Sequence, residues 1–272
     1  MQQELKMRGI VAGAEGELDF VRQWANLIFA FGQVLVTILC FSLGTSFDDA
    51  TNTHITPPPL IPADYAFIIW TPIYIGSLVY AVYQARPSQR RSPLLRRIGW
   101  YTALVFLGTC CWLVDARLRL FWGTVACICW MLGALYGAFI PLWSRQHPSR
   151  GEALCVVAPV SLFAGWVSAA VFANTASAIS DSQWPHFLLP ETAWSLIALA
   201  AATIFGGVVV IKSRGNLWFT GTLLWAFLAI AMKDFQSSFN PIVANAALVA
   251  CLILASTLVV ARWRGGQTLV QA

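Results

Sequence analysis

Four residues have the types and spacing to hold a flat apolar molecule: Trp70, Tyr74, Trp166 and Asn174. Indole and phenol rings stack on planar ligands, and an amide adds one directional hydrogen bond. At about 100° per helical residue, Trp70, Tyr74, Ser77, Ala81 and Gln84 fall within about 40° of one line. By the same measure Phe163, Trp166, Ala170 and Asn174 fall within about 60° of another. Each stripe sets a large ring beside small residues and ends on an amide. In a bilayer an indole N–H and an amide need partners, so both stripes are expected to face into a helix bundle. Two readings are open at this point. The rings and alanines interdigitate between helices, or they leave room for a ligand.

Other chemistry is weaker in the sequence. An enzyme cyclising or protonating an isoprenoid or a porphyrin needs a carboxylic acid beside its apolar substrate. Asp115 is the first candidate, with Asp64 and Glu191 behind it, and all three fall at the ends of apolar segments. Coupled transport needs ionisable groups near mid-span, and none is paired there, which leaves passive carriage. Cys40, Cys110, Cys111, Cys127, Cys129, Cys155 and Cys251 all lie inside apolar segments. Without histidine at metal-ligand spacing, they read as small packing residues, and no metal site is expected. A scaffold without a small ligand stays open.

These side chains must be positioned by membrane-spanning helices. Of 272 residues, 58% are hydrophobic and 11% charged, against about 25% charged in soluble domains. A spanning helix needs about 20 mostly apolar residues. Eight segments qualify: 23–44, 64–84, 99–115, 120–142, 153–178, 192–211, 216–232 and 239–261. The fold class is therefore an all-α integral membrane protein in one polytopic unit. The first segment is too long for a signal peptide.

Charge sets the orientation. Of the 17 Lys and Arg, 14 fall on one side of this eight-span arrangement and only Arg117, Arg119 and Lys233 on the other. This is the positive-inside pattern and puts both termini in the cytoplasm, with the chain in an inner (plasma) membrane. A net charge of +5 distributed in this way speaks against nucleic acid as a partner. The Arg86–Arg97 cluster suits anionic head groups. Trp24, Trp100, Trp143, Trp218 and Trp263 fall near the basic side, and Trp184 and Trp194 near the other, as interfacial belts. Trp70, Trp112, Trp130, Trp166 and Trp225 lie deeper.

Local signals fix the connections. Residues 1–22 read as a polar, frayed arm. Pro57–Pro59 and Pro62 stiffen the loop before the second span. Asp64 is placed to cap that span, Asn240 to cap the eighth ahead of Pro241, and Asn245 to bond a neighbouring helix. The small-residue runs AAVFANTASA and ALAAATIFGG permit a homodimer.

The stretch PADYAFIIWTPIYIGSLVYAVYQ (residues 62–84) resembles the second-helix signature of the TspO/MBR family, the translocator or tryptophan-rich sensory proteins. Pro62, Tyr65, Trp70-Thr71, Tyr74 and Ala81 carry the resemblance. Trp112 with Phe121-Trp122-Gly123 is similar to the family's third-to-fourth-helix passage. Phe163, Trp166, Ala170 and Asn174 are similar to its fifth-helix pattern. The departures are Cys110 or Cys111 where the family has Asn, Phe163 where it has Tyr, and a charged turn holding Asp115, Arg117 and Arg119. The resemblance covers about residues 20–180. It implies a TspO-like five-helix core over 23–180, preceded by the 1–22 arm. A three-helix extension over 181–264 and a tail over 265–272 follow. It also implies a sensor or carrier of a flat hydrophobic molecule such as haem or a porphyrin. Trp70, Tyr74, Trp112, Phe163, Trp166, Ala170 and Asn174 would form the wall, and Arg117 and Arg119 would meet propionates at the mouth.

Overall fold

The computed structural model describes residues 1–44, 58–143, 145, 148–182, 189–236 and 240–270, with side chains described except at 2–15, 236 and 265–270. Eight helices among these residues are long and apolar enough to cross a membrane. We label them α1 (Gln2–Ser42), α2 (Trp70–Ala85), α3 (Pro93–Arg117), α4 (Phe121–Phe139), α5 (Ala158–Asp181), α6 (Glu191–Lys212), α7 (Leu217–Gln236) and α8 (Pro241–Val270). Each matches one of the eight expected segments. His54, His147, His186, Pro57 and Trp184 lie outside the described residues.

α1 begins earlier than the sequence suggested. Helix runs through the expected frayed arm from Gln2. Two charges near the end of that stretch are held by other helices. Arg22 is 1% exposed and donates to Gln84 Oε1 at 3.3 Å, Leu95 O at 3.1 Å and Arg90 O at 3.0 Å. Asp19 pairs with Arg96 on α3. One turn deeper, Asn26 donates to Gly99 O at 2.8 Å and accepts from Thr102 Oγ1 at 2.7 Å. Thr102 also meets the Tyr80 hydroxyl at 2.9 Å. Arg22 thus clamps α1, α2 and α3 together, a role its place among the topology-setting charges did not announce. Such bonds matter because lipid gives helices no hydrophobic reason to associate. A Cβ at Gly99 would sit 2.7 Å from Arg22 Cδ, so the glycine makes room for the guanidinium.

α2 does not start with a capped α-turn. Asp64 is the first residue of a 3-10 segment, Asp64–Ile69, and makes no capping bond. It is an exposed acid in a first turn, where the helix dipole favours it. The α-helix proper begins at Trp70, so the Trp-Thr-Pro break is the junction between two helical geometries. Asn240 does cap α8, accepting from Val243 N at 3.2 Å. Asn245, by contrast, is exposed and bonds its own helix at Pro241 O, 2.7 Å away. The amide side chain finds a backbone carbonyl one turn back and needs no neighbouring helix.

α3 packs on α1 and α4, α4 on α5, and α5 on α7. α7 and α6 both pack on α8. The closest approach to backbone that bears on the site is α5 on α7. A Cβ at Gly165 would lie 2.6 Å from Phe219 O, so only glycine permits this contact. Outward-facing Trp24, Trp100, Trp194, Trp218 and Trp263 are 43–65% exposed, as interfacial rings should be.

Candidate functional site

The deep aromatics of α2, α3 and α5 converge. Trp70 is 1% exposed and is ringed by Trp112 at 5.3 Å, Tyr74 at 5.6 Å, Phe163 at 5.8 Å and Trp166 at 6.4 Å between centroids. Phe67, from the 3-10 segment, meets Trp166 edge-on at 5.9 Å. Such pairs contribute about 0.5–1.5 kcal/mol each beyond their buried area. The cluster therefore stabilises the bundle whether or not anything binds to it.

A recess opens on one side of this cluster, in the half of the bundle away from the basic end. It encloses about 30 Å³, room for one or two water molecules. Its floor is Trp70, Trp112 and Trp166, with Ala170 and Asn174 beside them. Its opposite wall is Leu199 and Ala202 from α6 and Ala226, Phe227 and Ile230 from α7. Leu60 and Pro62 cover it. Pockets for drug-sized ligands run to about 300–1,000 Å³, so a ring system enters only if the walls separate.

Three contacts hold the cover shut. Ala63 N donates to Ala229 O at 3.2 Å, Trp225 Nε1 donates to Ala66 O at 3.0 Å, and Tyr65 packs edge-on against the Trp225 ring at 5.7 Å. All three join the 3-10 segment and the residue before it to α7. Trp225, deep in its span by sequence, is thus a latch between these elements. Trp130 is 39% exposed and takes no part in the cluster.

The expected site residues divide. Trp70, Trp112, Trp166, Ala170 and Asn174 line the recess. Tyr74 and Phe163 stand behind Trp70. The Tyr74 hydroxyl accepts from Thr37 Oγ1 at 2.9 Å, and Phe163 borders a separate void of about 10 Å³ beside Tyr80 and Thr102. The amide of Asn174 is occupied: its Oδ1 accepts from Trp112 Nε1 at 3.0 Å and its Nδ2 donates to Ala170 O at 2.9 Å. The Trp166 indole N–H is buried and has no hydrogen-bond partner among the described residues. Arg117 and Arg119 are exposed at the turn between α3 and α4 and do not line the recess. Asp115 accepts from Cys127 Sγ at 3.3 Å, against α4, and neither it, Asp64 nor Glu191 lines the recess.

The contributions of α6 and α7 were not expected from sequence. Leu199, Ala202, Ala226 and Phe227 belong to largely apolar runs whose spacing did not single out one face. A larger groove, about 480 Å³, runs between α6 and α8 past Ile211, Leu252 and Arg264. It lies open on the outer surface, where acyl chains would fill it. No group of three or more metal-ligating side chains occurs among the described residues.

Among curated proteins and among solved structures, none matches the chain. A family model described as TSPO-like protein matches residues 23–260. The match runs through α6, α7 and α8 as well as the first five spans, so the helices that complete the recess lie within the matched region. This multi-pass helical membrane chain belongs to the TSPO-like protein family.

Proposed function

We propose that this protein binds a flat hydrophobic molecule, a tetrapyrrole such as protoporphyrin being the family's example, against the Trp70–Trp112–Trp166 floor, and acts as a sensor or carrier. The observation that carries the reading is the recess itself: three indoles from three helices form one side of a single apolar hollow. Its small volume adds a condition. The ligand enters by lifting the 58–63 segment and the adjoining 3-10 segment away from α7. The three contacts that must break are weak enough for this, since a hydrogen bond contributes a net of about 0.5–1.5 kcal/mol. Both termini lie in the cytoplasm, as the basic asymmetry directs, and the recess then opens toward the opposite leaflet.

The test is a titration of protoporphyrin into purified protein, followed by tryptophan quenching. Trp70→Phe and Trp166→Phe each weaken binding, while Trp24→Phe, on the outer surface, leaves it unchanged. Undiminished affinity in both floor variants overturns the assignment.

A further inference from the structure

We propose that Asp234 gives this recess a preference for ligands bearing a cationic nitrogen. The inference rests on the proposed pocket and specifies its chemistry. Asp234 is 0% exposed, and neither carboxylate oxygen has a hydrogen-bond partner among the described residues. It lies four residues beyond Ile230 and seven beyond Phe227, both of which line the recess. Offsets of three, four and seven put all three on one face of α7. Asp234 does not itself line the recess but stands one turn beyond its α7 wall, on the same face as Phe227 and Ile230.

A buried carboxylate without hydrogen bonds is costly, and in membrane spans such groups mark binding or transfer sites. Nothing on the recess wall supplies its partner. The wall holds no cation, Asn174 is committed to Trp112 and Ala170, and the unpaired Trp166 N–H belongs to α5. Lys233 precedes Asp234, about 100° round the helix; it has an interaction of its own, and its charge acts on the carboxylate without hydrogen-bonding to it. A ligand whose ring system rests on the indole floor, with a protonated amine reaching outward along α7, would satisfy the carboxylate and break only the three contacts that hold the cover.

The experiment compares two fluorescent probes of the same ring, 9-methylanthracene and 9-(aminomethyl)anthracene, at neutral pH in an uncharged detergent. Binding of the amine about tenfold tighter than the hydrocarbon, the scale of one charge-assisted hydrogen bond, is the expected result. In Asp234→Asn the ratio falls to about one. Equal affinities in the wild-type protein overturn the role of Asp234 while leaving the pocket intact, and this arm needs no folded variant. A preference that survives Asp234→Asn also overturns it. If neither probe binds, the pocket reading fails and the inference fails with it.

Discussion

The two ends of the bundle are held by opposite means. At the basic end, α1, α2 and α3 are joined by directed polar bonds from Arg22, Gln23, Asn26, Gln84 and Thr102, each with named acceptors. At the other end, α2, α3 and α5 meet through rings, and the polar groups there are sparse and partly unmatched, as at Trp166 and Asp234. A polar network whose members are mostly paired fixes one arrangement, with Arg22 Nε and Arg90 Nε the donors left unmatched among the described residues. Rings that slide on one another, beside a hollow, tolerate more than one. The difference separates a clamp from a site. Gln33 limits the lesson: its buried amide is unmatched among the described residues, yet no residue of its helix α1 lines the recess or the void by Tyr80. An unpaired group points to a ligand only where a cavity adjoins it.

The comparison can be broken by substitutions at each end. Arg22→Met should have the largest effect. It strands the Leu95 and Arg90 carbonyls and takes away a cation beside Asp19, at a cost of about 3 kcal/mol or more. Thermal unfolding in detergent checks this. If stability is unchanged, the clamp is not what joins α1 to α3. Asn174→Leu comes next. It leaves Trp112 Nε1 buried without an acceptor and costs about 1–3 kcal/mol. Ligand affinity should fall as well, because the Trp112 ring loses its fixed tilt. A variant with wild-type stability would show that the indole finds another acceptor.

Trp225→Phe is smaller and more specific. It removes the bond to Ala66 O, worth about 1 kcal/mol, while keeping an aromatic ring against Tyr65. Ligand association, measured by stopped-flow quenching, should quicken several-fold as the cover loosens. A slower or unchanged on-rate would contradict entry beside α7. Asn245→Ala should change stability by no more than about 0.5 kcal/mol, because its amide is exposed and bonds only its own helix. A larger loss would mean that Asn245 meets a second copy of the chain.

What the sequence made legible follows from where its signals come from. Eight spans and the buried stripes on α2 and α5 show because bilayer thickness and helical period act on every residue of a segment. Trp70 and Trp166 stand out because a large ring among small residues is rare on a lipid-facing surface. The α7 side of the recess did not show. Ala226 and Phe227 look like any apolar pair, and only the close approach at Gly165 turns that face toward α5. The stripe through Trp70 was also read as one surface. In the structure it serves three settings in succession: the recess at Trp70, the small void at Ser77, and the Arg22 clamp at Gln84. Period tells which face is buried but not what it meets. Arg22 was counted with the topology charges for the same reason, since its partners come from 62 to 73 residues away.

The most direct test of the central claim is an experimental structure of the protein loaded with protoporphyrin. The account predicts the macrocycle lying on Trp70, Trp112 and Trp166, with Leu60 and Pro62 displaced and the Ala63–Ala229 hydrogen bond broken. A macrocycle held on the outer helix faces, with the ring cluster and its cover unmoved, would contradict it.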